Sequence, residues 1–360
     1  MNMTTTRRGA MGLMAGAAAA AGAAAVVGRA QPAQAATGAA GAASAADPPR
    51  NLGSTQKVMM WIASVTPCDK NLNFDPGAFR DILAWFKHNG VDGILVFGST
   101  GEFPSFSLAE RKQAIETALR DKMGMNFLVG PGTSNYPETI ELARFAADHG
   151  ADGLLIIPPF YFKRLSPDGL YEYYAKIFDA VDIPINLYHF PSMSAIPITR
   201  QLLSRLHRYP QLAGIKDSEG NEAEYQGFIT EFADLNMRTG TSSKLEQALT
   251  HGMGAILEDA NLFCKVCQNV FTTYRAGGDW RAALAQMRAT EAVLFEGTAA
   301  ADSLFGYGPL KYALSVEMGG PQTYTRPPYP VEVSDAQKKA IRATIDRMAE
   351  MPNFPVKGMS

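Results

Sequence analysis

Ala213-Gly214-Ile215-Lys216-Asp217-Ser218 is a short apolar run that closes on turn residues and carries a lysine at its end. A run of this kind predicts a buried strand. An ammonium in a low-dielectric interior is costly, and the neutral amine favoured there is a nucleophile that adds to carbonyls. Lys216 is therefore the first candidate catalytic residue. A second run, Ile185-Asn186-Leu187-Tyr188-His189-Phe190-Pro191, carries a tyrosine where its strand should end. A third, Phe97-Gly98-Ser99-Thr100-Gly101-Glu102, follows an apolar strand and is expected to lead into a helix. An amine, a phenol and a small hydroxyl-bearing turn thus stand at the ends of three predicted strands.

From residue 58 onward, apolar runs alternate with helical patterns, as a parallel sheet requires. Strands are predicted at 58–66, 93–97, 127–130, 153–158, 183–188, 212–216, 237–240 and 254–257. The helices between them are amphipathic. Ile140, Ala143, Arg144 and Ala147 share one predicted face, and Gly150 ends that helix. Residues 224–233 and 245–249 behave likewise. Eight strands with seven helices between them close most economically into a (β/α)8 TIM barrel. Helical stretches at 279–295, 309–318 and 334–348 form a C-terminal appendix, so the barrel is assigned 53–278 and the helical region 279–360.

The start of the chain is different material. Arg7-Arg8 precedes an Ala- and Gly-dominated run from Met11 to Gly28 that holds no acidic residue. A basic n-region and a mild apolar h-region make a signal peptide, and twin arginines point to the Tat export route. Ala33-Gln34-Ala35 is a small-residue site for cleavage before Ala36. Residues 1–35 are therefore expected to be an export signal and 36–52 a flexible linker, which gives an exported protein with no membrane anchor after cleavage.

The net charge of −2 over 360 residues shows no basic excess, so nothing points to nucleic acid. Three cysteines are too few for a disulfide framework. Cys264 and Cys267 lie three apart on a predicted helix; with no second ligand pair they are packing residues, as is Cys68. A redox protein built on that pair would need titratable dithiol chemistry. Neither a metal nor a cofactor is expected.

In barrels of this type, chemistry sits at the carboxyl ends of the strands. That rule brings Lys216, Tyr188, Ser99 and Thr100 together, with Thr66 at the end of the first strand. Five segments in order, Val65-Thr66-Pro67, Gly98-Ser99-Thr100-Gly101-Glu102, Pro158-Pro159-Phe160-Tyr161, Tyr188-His189-Phe190-Pro191 and Gly214-Ile215-Lys216-Asp217, resemble the dihydrodipicolinate synthase / N-acetylneuraminate lyase family. The resemblance runs from about residue 58 to about residue 348. It implies a class I, pyruvate-dependent aldolase or dehydratase in which Lys216 forms an imine with a 2-oxo acid and Tyr188 carries protons. It further implies that Ser99 and Thr100 hold the substrate carboxylate at a helix start, with Gly98 and Gly101 allowing close backbone approach. Tyr161 matches the tyrosine that the family donates to a neighbouring subunit, which implies a homodimer or homotetramer.

Two positions depart from the family's specific members. Dihydrodipicolinate synthases carry an arginine where this chain has Met193, and a thioether does not pair a carboxylate. Sialic acid lyases carry an Asp-Glu pair where this chain has Ser242-Ser243. Glu258, just past the last strand, faces either the pocket or solvent. Glu258 and Ser242 join the candidate substrate-binding residues. The expected function is a Schiff-base lyase acting on a 2-keto-3-deoxy acid or a similar aldol. Its distal part should carry a hydroxyl, an amine or an apolar tail rather than a carboxylate. Dihydrodipicolinate synthase or sialate lyase proper is the same-fold alternative, and an exported, non-catalytic acid-binding barrel is the alternative of another class.

Overall fold

The computed structural model describes residues 52–56, 58–300 and 306–355. The predicted export signal, and the linker apart from Leu52, lie outside the described residues. Along the chain, β1 (Met60–Ala63), α1 (Pro76–His88), β2 (Gly93–Val96), α2 (Leu108–Arg120), β3 (Asn126–Val129) and α3 (Tyr136–Asp148) alternate strictly. The alternation continues through β4 (Gly153–Ile156), α4 (Pro167–Phe178), β5 (Ile185–His189), the single turn α5 (Pro191–Ser194), α6 (Arg200–Leu206) and β6 (Leu212–Asp217). It ends with α7 (Glu222–Glu231), β7 (Asn236–Thr239), α8 (Leu245–Thr250), β8 (Ala255–Leu257) and α9 (Cys264–Arg275). Then come α10 (Trp280–Ala300), α11 (Tyr307–Met318) and α12 (Asp335–Met348), where the sequence places the helical appendix.

The strands pair in sequence order and β8 returns to β1, so the parallel sheet is a closed barrel with no edge. Every strand is buried along its length apart from Asn126. This explains why the strands read as continuous apolar runs rather than as alternating ones. Trp61 fills the barrel floor against Gly93, where a Cβ would come within 2.6 Å of the indole ring. Helices α1 to α4, α6, α7 and α12 begin where short polar side chains take up their first free N–H groups. Asp75 accepts from Gly77 and Ala78, and Ser107 with Glu110 forms a capping box at the start of α2.

Two expectations change. The buried face of α3 is Thr139, Leu142, Ala143 and Ala146, one position before the predicted stripe. Arg144 is exposed and donates to the Ala180 carbonyl. The second change concerns the turn after β2. Residues 103–105 form one 3-10 turn, and α2 begins only at Leu108. Glu102 stands in the left-handed region at φ 52°, which stops helix propagation. The Ser99-Thr100 turn is therefore not at the N-terminus of a long helix, and the helix dipole is not available to it as expected.

A buried ion pair ties the appendix to that turn. Lys311 on α11 meets the Glu102 carboxylate, and both side chains are fully buried. Thr325 Oγ1 also donates to Glu102, as does the Arg326 N–H at 3.2 Å. Lys311 Nζ donates to the Tyr324 carbonyl at 2.8 Å. Arg326 clamps Glu110 with two N–H donors at 2.5 and 3.1 Å and holds its carboxyl down at about 2. Glu102→Ala should lower stability by about 3–5 kcal/mol, because it strands the Lys311 ammonium in the interior. The double variant Glu102→Gln/Lys311→Met should recover most of that loss. Urea unfolding measures both; a single variant within about 0.5 kcal/mol of wild type, the scale of an ordinary surface change, would show that the pair does not hold the appendix.

Candidate active site

β5 and β6 pair so that Tyr188 lies opposite Lys216. With side chains alternating along a strand, both point into the barrel mouth while Asp217 points out toward the helices. Lys216 Nζ donates to Tyr188 Oη at 3.4 Å and lies 4.6 Å from the centroid of its ring. Both residues are 4% exposed. Tyr188 is stacked in turn on Phe190, with centroids 5.6 Å apart. The lysine stem passes beside Gly240, where a Cβ would lie 2.9 Å from Lys216 Cε and 2.1 Å from Ser218 Oγ. Any side chain there would displace the amine.

Behind the amine, Asp217 forms a buried pair with Lys244 at 2.9 Å, both nearly inaccessible. Asp217 also accepts from the Glu219 N–H. The end of β6 is thus anchored from its outer face. Arg238, opposite Lys216 on β7, is fully buried and donates to Asn186 Oδ1 at 2.6 Å. Burial lowers its guanidinium to about 9.

Ser99, Thr100, Tyr188, Lys216, Ser242 and Glu258 line one cavity of about 280 Å³, with Met193 and Tyr307 also in its wall. Five of the predicted strand-end residues therefore converge with Ser242. Ser99 Oγ is buried without a hydrogen-bond partner. Thr66 Oγ1 is also buried and unpartnered, close to Gly101. Gly98 shapes the turn by packing against Leu95 and does not line the cavity. Ser242 is present at the rim, but its hydroxyl is committed to Glu291. Tyr161 is not in this cavity; it lies 74% exposed beside Phe162.

Glu258 faces the cavity. Its side chain lines the wall and remains exposed to solvent at the mouth. Thr100 Oγ1 donates to it at 3.4 Å. Burial raises its pKa above the usual carboxylate value, the neighbouring Asp259 adds to this, and Lys216 and Thr100 act against it. Tyr307, at the start of α11, was not foreseen from the sequence. Its phenol is raised by burial first and then by Glu258. The cysteines behave as packing residues: all three are free and buried, and burial raises their thiols. Among the described residues no cluster of three or more His, Cys, Asp or Glu is arranged to hold a metal ion.

The sequence profile of the dihydrodipicolinate synthetase family matches residues 57–348. The chain belongs to that family. It is 31% identical over 271 residues to an uncharacterized DapA-like lyase of Chloroflexus aurantiacus, covering 74% of this chain and 88% of that one. It is 29% identical over 282 residues to a 4-hydroxy-tetrahydrodipicolinate synthase of Corynebacterium diphtheriae, covering 77% and 91%. Among solved structures it resembles a prophage protein of the dihydrodipicolinic acid synthase family from E. coli K12, solved with pyruvate. That match has a TM-score of 0.73 and 25% identity, and covers 81% of this chain and 98% of that one. As a dihydrodipicolinate synthetase family member, the protein is a lyase of the class I, lysine Schiff-base type.

At the rim, burial and then Asp259 raise the Glu291 carboxyl to about 7, although Ser242 acts to lower it. Between the ordinary value of 4.5 and about 7, the folded state binds this proton and the unfolded state does not. The stability it contributes is complete below the ordinary value and is lost as pH rises through about 7. The stability of wild type relative to Glu291→Gln should therefore be greater at acidic than at alkaline pH. A difference that does not change with pH would contradict the assignment.

Proposed function

We propose that the protein forms an imine between Lys216 and a 2-oxo acid and cleaves or builds a bond one carbon away. The observation that carries this is the Lys216–Tyr188 pair, 3.4 Å apart on adjacent strands at the mouth of the cavity. The neutral amine adds to the ketone, water leaves, and the cationic imine draws electrons from the adjacent carbon to give an enamine. Tyr188 carries the proton between substrate and imine. Ser99 and Thr100 receive the carboxylate. Ser99 Oγ, buried and unpartnered, is a free donor for it. Pyruvate is the 2-oxo acid supported by the pyruvate complex of the E. coli relative.

Met193, Phe190 and Glu258 line the same cavity as Lys216. This favours a distal hydroxyl, amine or apolar tail over a distal carboxylate, which would meet Glu258 as a like charge. Tyr161 belongs, on this proposal, to the site of a neighbouring subunit in a homodimer or homotetramer. Its exposure in the single chain supports that placement. Arg7-Arg8 and the run after it support Tat export with cleavage before Ala36.

Borohydride reduction with pyruvate should add the reduced pyruvyl mass to the peptide containing Lys216. Tyr188→Phe should still trap that adduct while turning over about 100- to 10,000-fold more slowly. An adduct on another lysine, or none with any 2-oxo acid, would remove the assignment. Dilution to a monomer, or Tyr161→Ala, should abolish most activity, and the exported protein should begin near residue 36. Full activity in a proven monomer would overturn the shared site, and a mature N-terminus at Met1 would overturn the export proposal.

A further inference from the structure

A second cavity lies away from the strand-end lysine, between α1 and α11. It holds about 500 Å³, more than the active-site cavity, and shares no lining residue with it. Ala78, Asp81, Trp85 and His88 recur at helical spacing along α1 and form one wall. Leu314, Ser315 and Met318 of α11 form the other, and Gly319-Gly320 follow at its end. The chain leaves this space open: a Cβ on Gly319 or Gly320 would meet nothing within 4 Å. A volume of this size suits a small organic molecule.

The polar features of the walls agree in sign. Asp81 is exposed and, among the described residues, makes no ion pair or hydrogen bond. α1 ends at His88 and α11 at Met318, so the C-terminal ends of both helices border the cavity. The partial negative charge of a helix C-terminus favours a cation. Lys311 also reaches the wall, but its ammonium is buried against the Glu102 carboxylate and the Tyr324 carbonyl, so its charge is cancelled there. Trp85 is only 5% exposed, and its buried indole N–H has no acceptor in the protein. The protein itself therefore does not complete the polar contacts of this wall. An indole beside the cavity adds to the preference for a cation, which aromatic faces attract.

We propose that this cavity binds an organic amine with an apolar body. The ammonium pairs with Asp81, between the two helix ends, and the body packs on Ile82, Trp85, Leu314 and Met318. A neutral molecule of the same shape gains the packing without the ion pair. A carboxylate in that place faces Asp81 as a like charge and is disfavoured. No reaction is assigned to the site, and it stands independently of the imine at Lys216.

The test is isothermal titration calorimetry of the full chain with 2-phenylethylamine, 2-phenylethanol and phenylacetate, at about pH 8, where the amine is charged. Wild type should bind the amine at one site with a Kd below about 1 mM. It should bind the alcohol about 10-fold more weakly, the worth of one charged hydrogen bond, and phenylacetate more weakly still. Asp81→Asn should weaken the amine about 10-fold and leave the alcohol unchanged. Ala84→Trp fills the cavity from an exposed position on α1, and Gly320→Phe fills it from the opposite wall. Each should abolish binding of both the amine and the alcohol while unfolding at the wild-type temperature. Equal affinity for amine and alcohol would overturn the proposal, as would tighter binding of phenylacetate or an Asp81→Asn variant that binds the amine like wild type. So would a wild type that gives no heat with the amine, or amine binding that survives in a folded variant with the cavity filled.

Discussion

The buried pair between Glu102 and Lys311 joins the two parts of the chain that build the cavity wall. Glu102 closes the turn that carries Ser99 and Thr100, and Lys311 lies one helical turn after Tyr307 on α11. Neither charge has water to fall back on. Burial pulls the Lys311 ammonium down, and the Glu102 carboxylate counters that pull. A pair of this kind adds little stability over an apolar replacement, but it is expensive to break. Its consequence is positional. The left-handed Glu102, the Thr325 hydroxyl and the Arg326 N–H converge on one carboxylate, so the turn after β2 and the segment after α11 must keep their places together.

The same logic is repeated behind the amine. Asp217 and Lys244 form a second buried pair on the outer face of β6, one residue from Lys216. Strand alternation separates the two roles: the inward side chain is free for chemistry and the outward one anchors the strand. Lys216 is thus surrounded by rigid elements, with Tyr188 across the strand pair, Gly240 leaving room for its stem, and Phe190 stacked on Tyr188. A cavity held at this level of order keeps reacting groups in register without reorganisation during the reaction.

The barrel was legible because most strands are apolar along nearly their whole length and most intervening helices carry a polar cap. Lys216 and Tyr188 stood out because a polar group at the end of such a run has few places to point. Glu258 could not be placed, since a carboxylate one residue past a strand end turns inward or outward according to neighbours far off in sequence, here Thr100. Tyr307, Lys244 and Lys311 were invisible for the same reason; the Glu102–Lys311 pair spans more than half of the described chain. The stripe of α3 was misplaced by one position because Thr139, a small polar residue, is buried while the larger Ile140 is only partly so. The helix expected straight after Thr100 failed on a backbone conformation that composition does not reveal.

The account makes the strand-end lysine the nucleophile and the turn after β2 the carboxylate cradle. A crystal structure of the protein soaked with pyruvate tests both at once. It should show continuous density from Lys216 Nζ to the second carbon of pyruvate and the carboxylate against Ser99 and Thr100. Pyruvate bound without a bond to Lys216, or with its carboxylate away from that turn, would contradict it.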